Sequence, residues 1–442
     1  MVADVAGVSS PGPDAPEPRR KARTSRRHVV GRVVLTSSVV LALVTALGVV
    51  FLYRHLNGNL NVQDLDQALG DDRPEEVYRG NGKPLDILVM GDDTRSGDNN
   101  DIDQETGGGS DTTILVHLSA DRSRAYAISI PRDSIVTRPD CGEDDEIPGG
   151  TEMWNRAYAL GNAADPNGGG AACAMRQVEA TTGVRLEHYV VVDFNGFGNM
   201  VDAVDGVPVC VPEDIVDKKH GIFVPKGDPS VLTGDEALDY VRARYIGDLA
   251  QQNDLSRIKR QQAFIGSLIR KVKSAGTLSR LDRVVGFLDA ATESLTIDPG
   301  LGSITRIGKL AMQLQGVGLD KVQFVTVPTE YFPTDSDLAG KVHWTEEADV
   351  LWELLREDKL LPASLLSQGT NAEAPSTSSE ATETPSPTTG ESGSQTPSPT
   401  ETPTETSSPT ETPSPTDTAS PSQPSAPTST PTTKEDTPGV CA

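Results

Sequence analysis

The sequence predicts one large α/β domain outside a membrane, held by a single N-terminal helix and followed by an unstructured tail. Three observations support this. Residues 33–53 (VVLTSSVVLALVTALGVVFLY) carry no charge between Arg32 and Arg54. Between residues 85 and 275, short apolar runs of strand length alternate with stretches of helical period. From residue 367 onward the chain is dominated by Ser, Thr, Pro and Glu.

Residues 1–28 are polar, Pro-rich and basic toward their end, through Arg19, Arg20, Lys21, Arg23, Arg26 and Arg27. The apolar run that follows, assigned to residues 29–53, is long enough to span a bilayer, which takes about 20 residues as a helix. A cleaved signal peptide is the competing reading, but its apolar core is usually only about 7–15 residues, and no small-x-small site follows Tyr53. The basic cluster before the span places the N-terminus in the cytoplasm and everything after Tyr53 outside. Residues 54–83 read as a juxtamembrane helix and linker. Residues 367–442 lack the apolar content to offset their ordering entropy and are expected to be disordered.

Within residues 84–366, strands are expected at 85–90, 113–118, 126–130, 188–193 and 206–211. Helices are expected at 154–164, 172–182, 195–204 and 234–244. A further helix runs from Asp254, as N-cap, to about residue 275, with Ile258, Ile265, Leu268, Ile269 and Val272 on one face. Cys141 and Cys173 flank a Gly/Asp-rich insertion; of the three connectivities open to four cysteines, their pairing is the one expected. No cysteine or histidine spacing suits zinc, and no phosphate-binding P-loop motif is present.

The net charge of −25 makes the clustered cations informative. Asp92-Asp93-Thr94-Arg95 follows the first strand, Asp111 precedes the second, and Arg132 and Asp133 follow the third. Arg242 and Arg244 end a helix, while Arg257 and Arg260 lie in the first turns of another, where free N–H groups already favour an anion. Guanidinium forks match phosphate oxygens, and carboxylates hold the hard cation that phosphate chemistry uses. Strand ends in layered α/β folds open into the ligand crevice, so these groups can converge on a metal-dependent phosphate-ester or pyrophosphate site.

In order, these segments resemble the LytR-CpsA-Psr family. The resemblance is carried by Ile87 to Arg95, Ser110 to Val116, Ser129 to Ser134, Asn155 to Tyr158, Tyr189 to Phe197, Val201 to Val207, Ala237 to Arg244 and Asp254 to Gln262. It implies a three-layer α/β/α domain with a central mixed sheet and a pocket for a polyprenyl chain between sheet and helices. The implied activity is transfer of a glycopolymer from a polyprenyl-pyrophosphate carrier to a peptidoglycan hydroxyl, leaving a phosphodiester. Position by position, Asp93 and Asp111 would bind Mg2+, and Arg95, Arg132, Arg242, Arg244, Arg257 and Arg260 would clamp the pyrophosphate with help from Gln261. Catalysis would fall to Asp93, Arg95, Arg132 and Asp133, with Asp93 or Asp133 taking the hydroxyl proton. The adjacency of Asp92 and Asp93 departs from the family pattern and leaves the metal register open by one residue. The expected partners are the lipid-linked glycopolymer, peptidoglycan and the bilayer; nucleic acid is not among them. Two alternatives share these residues: a non-catalytic polyprenyl-phosphate or wall-glycan scaffold, and a pyrophosphate hydrolase. Aspartates beside the arginines favour transfer, since binding alone does not need them.

Overall fold

A computed structural model describes residues 26–77, 82–92, 109–142, 145–218, 221–243, 254–318 and 321–366. The chain starts with α1 (Arg26–Asn59), in which Val29–Asn59 is long and apolar enough to cross a membrane. From Val29 onward its side chains are exposed until the last turns, where Leu56 is buried against the domain. The helix therefore continues past the uncharged run. β1 (Asn61–Val62) and α2 (Asp66–Leu69) follow, and Leu60, Leu65 and Leu69 are buried. Part of the segment read from sequence as a linker is thus built into the core, because its leucines find apolar partners.

β2 (Leu85–Asp92), β3 (Ser110–Leu118) and β4 (Ala125–Ile130) form an antiparallel meander in the expected places. A small hairpin of β5 (Ile135–Arg138) and β6 (Gly150–Met153) leads to α3 (Arg156–Ala164) and α4 (Gly169–Thr182). β7 (His188–Asp193) runs into α5 (Phe194–Ala203), capped by the Asp193 carboxylate, which accepts from the Gly196 N–H. Next come β8 (Val207–Val211), β9 (Ile215–Asp217), β10 (Ile222–Val224), β11 (Gly227–Leu232) and α6 (Gly234–Arg242). A reciprocal capping box of Thr233 and Glu236 starts α6. α7 is described over Asp254–Lys273; Asp254 is itself helical and its carboxylate pairs with Arg257 inside the helix, where the sequence led us to expect a cap.

The sequence expectations named no elements beyond this point. The structure adds α8 (Ala275–Leu278), α9 (Leu281–Ser294), β12 (Leu295–Ile297), α10 (Ile304–Val317) and β13 (Val322–Thr326). A hairpin of β14 (Thr329–Tyr331) and β15 (Val342–Trp344), then α11 (Glu346–Arg356) and α12 (Ala363–Leu366), completes the described chain.

The main sheet has seven strands among the described residues, ordered β1-β12-β7-β2-β3-β4-β13, and is mixed. β1/β12, β7/β2 and β4/β13 pair in parallel, and the remaining pairs are antiparallel. One face carries Leu88, Met90, Leu115, Tyr126, Ile128, Tyr189 and Val191 against α3, α4 and α11, forming the largest core cluster. The opposite face meets α7 and α10. There Val89, Val116, Val190, Val322 and Leu295 stay half-buried although β2, β3 and β7 are central strands, leaving uncovered apolar surface. A second cluster joins α5, α6 and α7 to β8–β11. This is the expected three-layer arrangement.

Cys141 and Cys173 form a disulfide, as expected, with Cα atoms 5.3 Å apart. Cys210 is disulfide-bonded as well, while Cys441 lies outside the described residues. The α3–α4 pair beside the first bridge depends on missing side chains. A Cβ on Gly161 would stand 2.1 Å from the Gly169 carbonyl oxygen and 2.9 Å from Cys173 Sγ. Gly161→Ala is therefore expected to cost about 1–3 kcal/mol through overpacking. A drop in urea midpoint at unchanged m-value checks this, and an unchanged midpoint would contradict it.

Candidate active site

The ends of β2, β4, β7 and β13 and the start of β3 lie along one edge of the sheet, as the register dictates. Asp92 pairs with Asp193 and Ser110, Thr113 with Ile130, and Ser129 with Thr326. α7 is fixed above this edge by Gln262, whose Nε2 donates to Ser129 Oγ (3.0 Å) and Thr326 Oγ1 (3.1 Å). Gln261 Nε2 donates to Thr112 Oγ1 (3.0 Å) and the Val241 carbonyl (3.2 Å). Two glutamines thus carry the register of the sheet into α7, and with it the position of Arg257.

Asp111 is the centre of the cluster. Arg132 Nη1 donates to its Oδ1 (2.7 Å), Arg257 Nη1 to its Oδ2 (3.1 Å), and Arg257 Nη2 to its carbonyl (3.0 Å). Both arginines also reach Asp254 Oδ1, Arg132 Nε at 3.4 Å and Arg257 through Nη2. Asp133 Oδ2 lies 4.0 Å from Arg132 Nε, and its Oδ1 accepts from Lys341 Nζ at 3.3 Å. Lys341 arrives from the β14–β15 hairpin, which is tied to the same strand end by Val342 N–H donating to the Asp133 carbonyl (3.2 Å) and Trp344 Nε1 donating to Ser134 Oγ (3.1 Å). Burial works against the Arg132 charge, but Asp111 first and then Asp254 outweigh it and hold the guanidinium above its ordinary range.

The lattice alternates cations and carboxylates, and it is not saturated. Arg132 Nε, Arg257 Nε and Asp254 Oδ2 are buried without a hydrogen-bond partner. Orphaned buried polar atoms are costly, so their concentration in one place marks where a ligand would satisfy them. The donors can meet an anion. Asp254 Oδ2 and the Asp111 carboxylate are hard oxygen donors of the type Mg2+ takes. The guanidinium donors therefore fit a phosphate, while a hard cation would draw on Asp254 Oδ2 and the Asp111 carboxylate; no group of three or more His, Cys, Asp or Glu side chains placed to hold a metal occurs among the described residues.

The other expected site residues are distributed unevenly. Arg242, in the last turn of α6, stacks over the Phe194 ring with its guanidinium carbon 5.3 Å from the centroid, beside the β7 end. Arg260 is 1 % exposed and donates to the carbonyls of Tyr240 and Ala243, so it braces the end of α6. Burial lowers its pKa to about 10. Asp93, Arg95 and Arg244 lie outside the described residues. Asp92 is hydrogen-bonded to Tyr158, whose pKa is raised well above its usual value by burial and then by that carboxylate. Burial, with Asp92 adding to it, also raises the pKa of Asp193. The sequence reading missed Lys341 and the bridging role of Asp254. Lys341 has no local signal, whereas the three-residue step from Asp254 to Arg257 on a helix is a recognisable ion-pair spacing.

An α/β/α domain with an arginine–aspartate lattice at a strand-end crevice thus follows an N-terminal helix long and apolar enough to cross a membrane. Residues 52–359 match the model of the LytR_cpsA_psr family, and the chain belongs to that family. It is 30% identical over 352 residues to the cell wall biosynthesis protein LcpA of Corynebacterium glutamicum, covering 74% of this chain and 65% of that protein. It is 29% identical to the polyisoprenyl-teichoic acid–peptidoglycan teichoic acid transferase TagV of Bacillus subtilis, over 58% of this chain and 62% of the relative. The chain thus spans somewhat less than two thirds of these curated relatives' lengths. Among solved structures it is similar to the protein gbs0355 of Streptococcus agalactiae, with a TM-score of 0.50, 21% identity and coverage of 63% of this chain and 90% of the other.

Proposed function

We propose that this protein transfers an anionic glycopolymer from a polyprenyl-pyrophosphate carrier to a peptidoglycan hydroxyl, working outside the membrane that α1 crosses. The observation that carries the reading is the set of orphaned atoms on Arg132, Arg257 and Asp254 in the lattice around Asp111. It offers buried guanidinium donors to a polyanion and buried carboxylate oxygens to a cation at a single strand-end crevice. The names of TagV and of its relative TagU from Enterococcus faecalis support the substrate class. The half-buried valines of the second sheet face, under α7 and α10, are suited to the polyprenyl chain.

Arg132, Arg257 and Arg242, with Arg95 and Arg244 outside the described residues, would hold the two phosphates. Arg260 serves by supporting the α6 end, and Gln261 by fixing α7 over Thr112. The acceptor hydroxyl forms a new bond to the phosphorus bearing the glycopolymer, the bridging P–O bond breaks, and polyprenyl phosphate leaves. Asp133 or Asp93 takes the hydroxyl proton. Mg2+, on Asp111 and Asp93 with Asp254 Oδ2 adjoining, would neutralise phosphate charge. Phosphoryl transfer depends mainly on such charge stabilisation and on alignment.

The test uses the full chain in lipid nanodiscs, supplied with polyprenyl-pyrophosphoryl glycopolymer, peptidoglycan oligomer and Mg2+. The expected result is a phosphodiester-linked product with equimolar polyprenyl phosphate, abolished by a chelator. Release of sugar phosphate without acceptor would instead identify a hydrolase. Stable lipid binding without any turnover would identify a scaffold.

A further inference from the structure

We propose that the α8–α9 corner, with Leu278 and Leu281 at its apex, inserts into the surface of an anionic bilayer as a second membrane contact. The inference takes α1 as a membrane span and does not depend on the transfer reaction.

The argument begins with the way α1 meets the domain. His55 Nε2 lies 2.8 Å from Asp289 Oδ1, Asn59 Nδ2 donates to Asp289 Oδ1 (2.9 Å) and lies 3.4 Å from Thr292 Oγ1, and Asn61 pairs with Thr296 in parallel strands. Residue numbers rise together along both partners, so the end of α1 and the end of α9 run in the same direction. Going backward along α9 is therefore going toward the membrane. From Asp289 to Leu281 is eight residues, an axial distance of about 12 Å at the helical rise. The same step back along α1 from His55 reaches Leu47, inside the uncharged run. The start of α9, and α8 before it, are thus directed at the level where the bilayer begins.

What stands at that level suits it. Leu281 is 74% exposed and Leu278 59%, comparable to Leu41 (68%) and Leu47 (69%) on α1 itself. Around them are Arg270, Lys271 and Lys273 in the last turn of α7, and Arg280 and Arg283 flanking the start of α9. Arg280 pairs with Asp282, and Arg283 with Asp205, so cations outnumber carboxylates here in a chain of net charge −25. Exposed leucines ringed by long cationic side chains form an interfacial device: the leucines enter the acyl boundary while the arginine and lysine stems lie along it and place their charges among phosphates. The occupant is therefore the lipid surface, on grounds of charge and of continuity with α1.

Photocrosslinking tests the inference. The full chain is reconstituted in nanodiscs of phosphatidylglycerol doped with a diazirine-bearing phospholipid, irradiated, and mapped by peptide mass spectrometry. Lipid adducts are expected on peptides covering residues 274–284 as well as 33–53, and the double variant Leu278→Asn/Leu281→Asn should lose the first set by about tenfold while keeping the second. Both positions are solvent-exposed, so the variant should melt like the wild type, which a urea titration verifies. Adducts confined to residues 29–59 would overturn the proposal and leave the span intact. Adducts on neither segment would overturn the span and the proposal together.

Discussion

Replacing Arg132 by Ala is expected to reduce glycopolymer transfer by about a thousandfold, the scale found when a preorganised donor to developing charge is removed. The side chain donates to Asp111 and lies against Asp254 and Asp133, so it links three of the carboxylates named at the site. Its loss removes one of the guanidinium partners of Asp111 and one orphaned donor from the crevice. Arg132→Lys should recover only a small part of the rate, because an ammonium cannot reproduce the planar fork that spans neighbouring oxygens. The assay is turnover of lipid-linked substrate in nanodiscs, with urea titration to confirm that both variants remain folded. Near-wild-type turnover in both would remove Arg132 from the site.

His117→Ala is expected to destabilise the domain by about 3–5 kcal/mol, the cost of breaking a buried ion pair by removing one partner. His117 is fully buried at the opposite end of the sheet, with Nδ1 2.8 Å from Asp86 Oδ1 and Nε2 3.3 Å from Asp358 Oδ1. Burial alone would lower its pKa, but Asp86 and then Asp358 raise it to about 9. A raised folded pKa means the stabilisation is complete below the unfolded value near 6.5 and is lost as pH rises through about 9. A shift of this size corresponds to stability on the order of 3 kcal/mol. On the acid side, burial acts to raise the Asp358 pKa, yet His117, the Ala120 N–H and Arg124 together leave it lowered. That contribution is lost as pH falls through its folded value. Unfolding free energies of wild type and variant should therefore differ most in the mildly acidic range, between about pH 4 and 6.5, and the difference should narrow by about pH 10. A constant difference across that range would refute the assignment.

The comparison of sequence with structure divides along physical lines. The strands β2, β3, β4, β7 and β8 and the helix α7 were legible because each has its own period and ends in turn or charge signals. Arg132, Asp111 and Arg257 were legible as neighbours because strand ends in such folds converge. Asp358, bonded to His117 across 241 residues of sequence, left no local trace. Lys341 reaches Asp133 across 208 residues, from a hairpin of ordinary composition. β12 is three residues long, too short for alternation to register, and is a strand only because β7 and β1 hold it. Arg260 shared its helix turn with the other cations, and only burial separates a brace from a ligand-facing group.

The hairpin that delivers Lys341 also bears on when the protein becomes competent. A chain emerges from the ribosome N-terminus first, so Asp111 and Arg132 appear long before Arg257, and Arg257 before Lys341. The β4 edge meanwhile waits for β13, and His117 waits for Asp358. A nascent chain halted before residue 321 therefore holds every member of the charge lattice except Lys341, on a sheet whose β4 edge is unpaired. The crevice and the His117–Asp358 clamp at the far end of the sheet are thus completed by one stretch of polypeptide, residues 322–358.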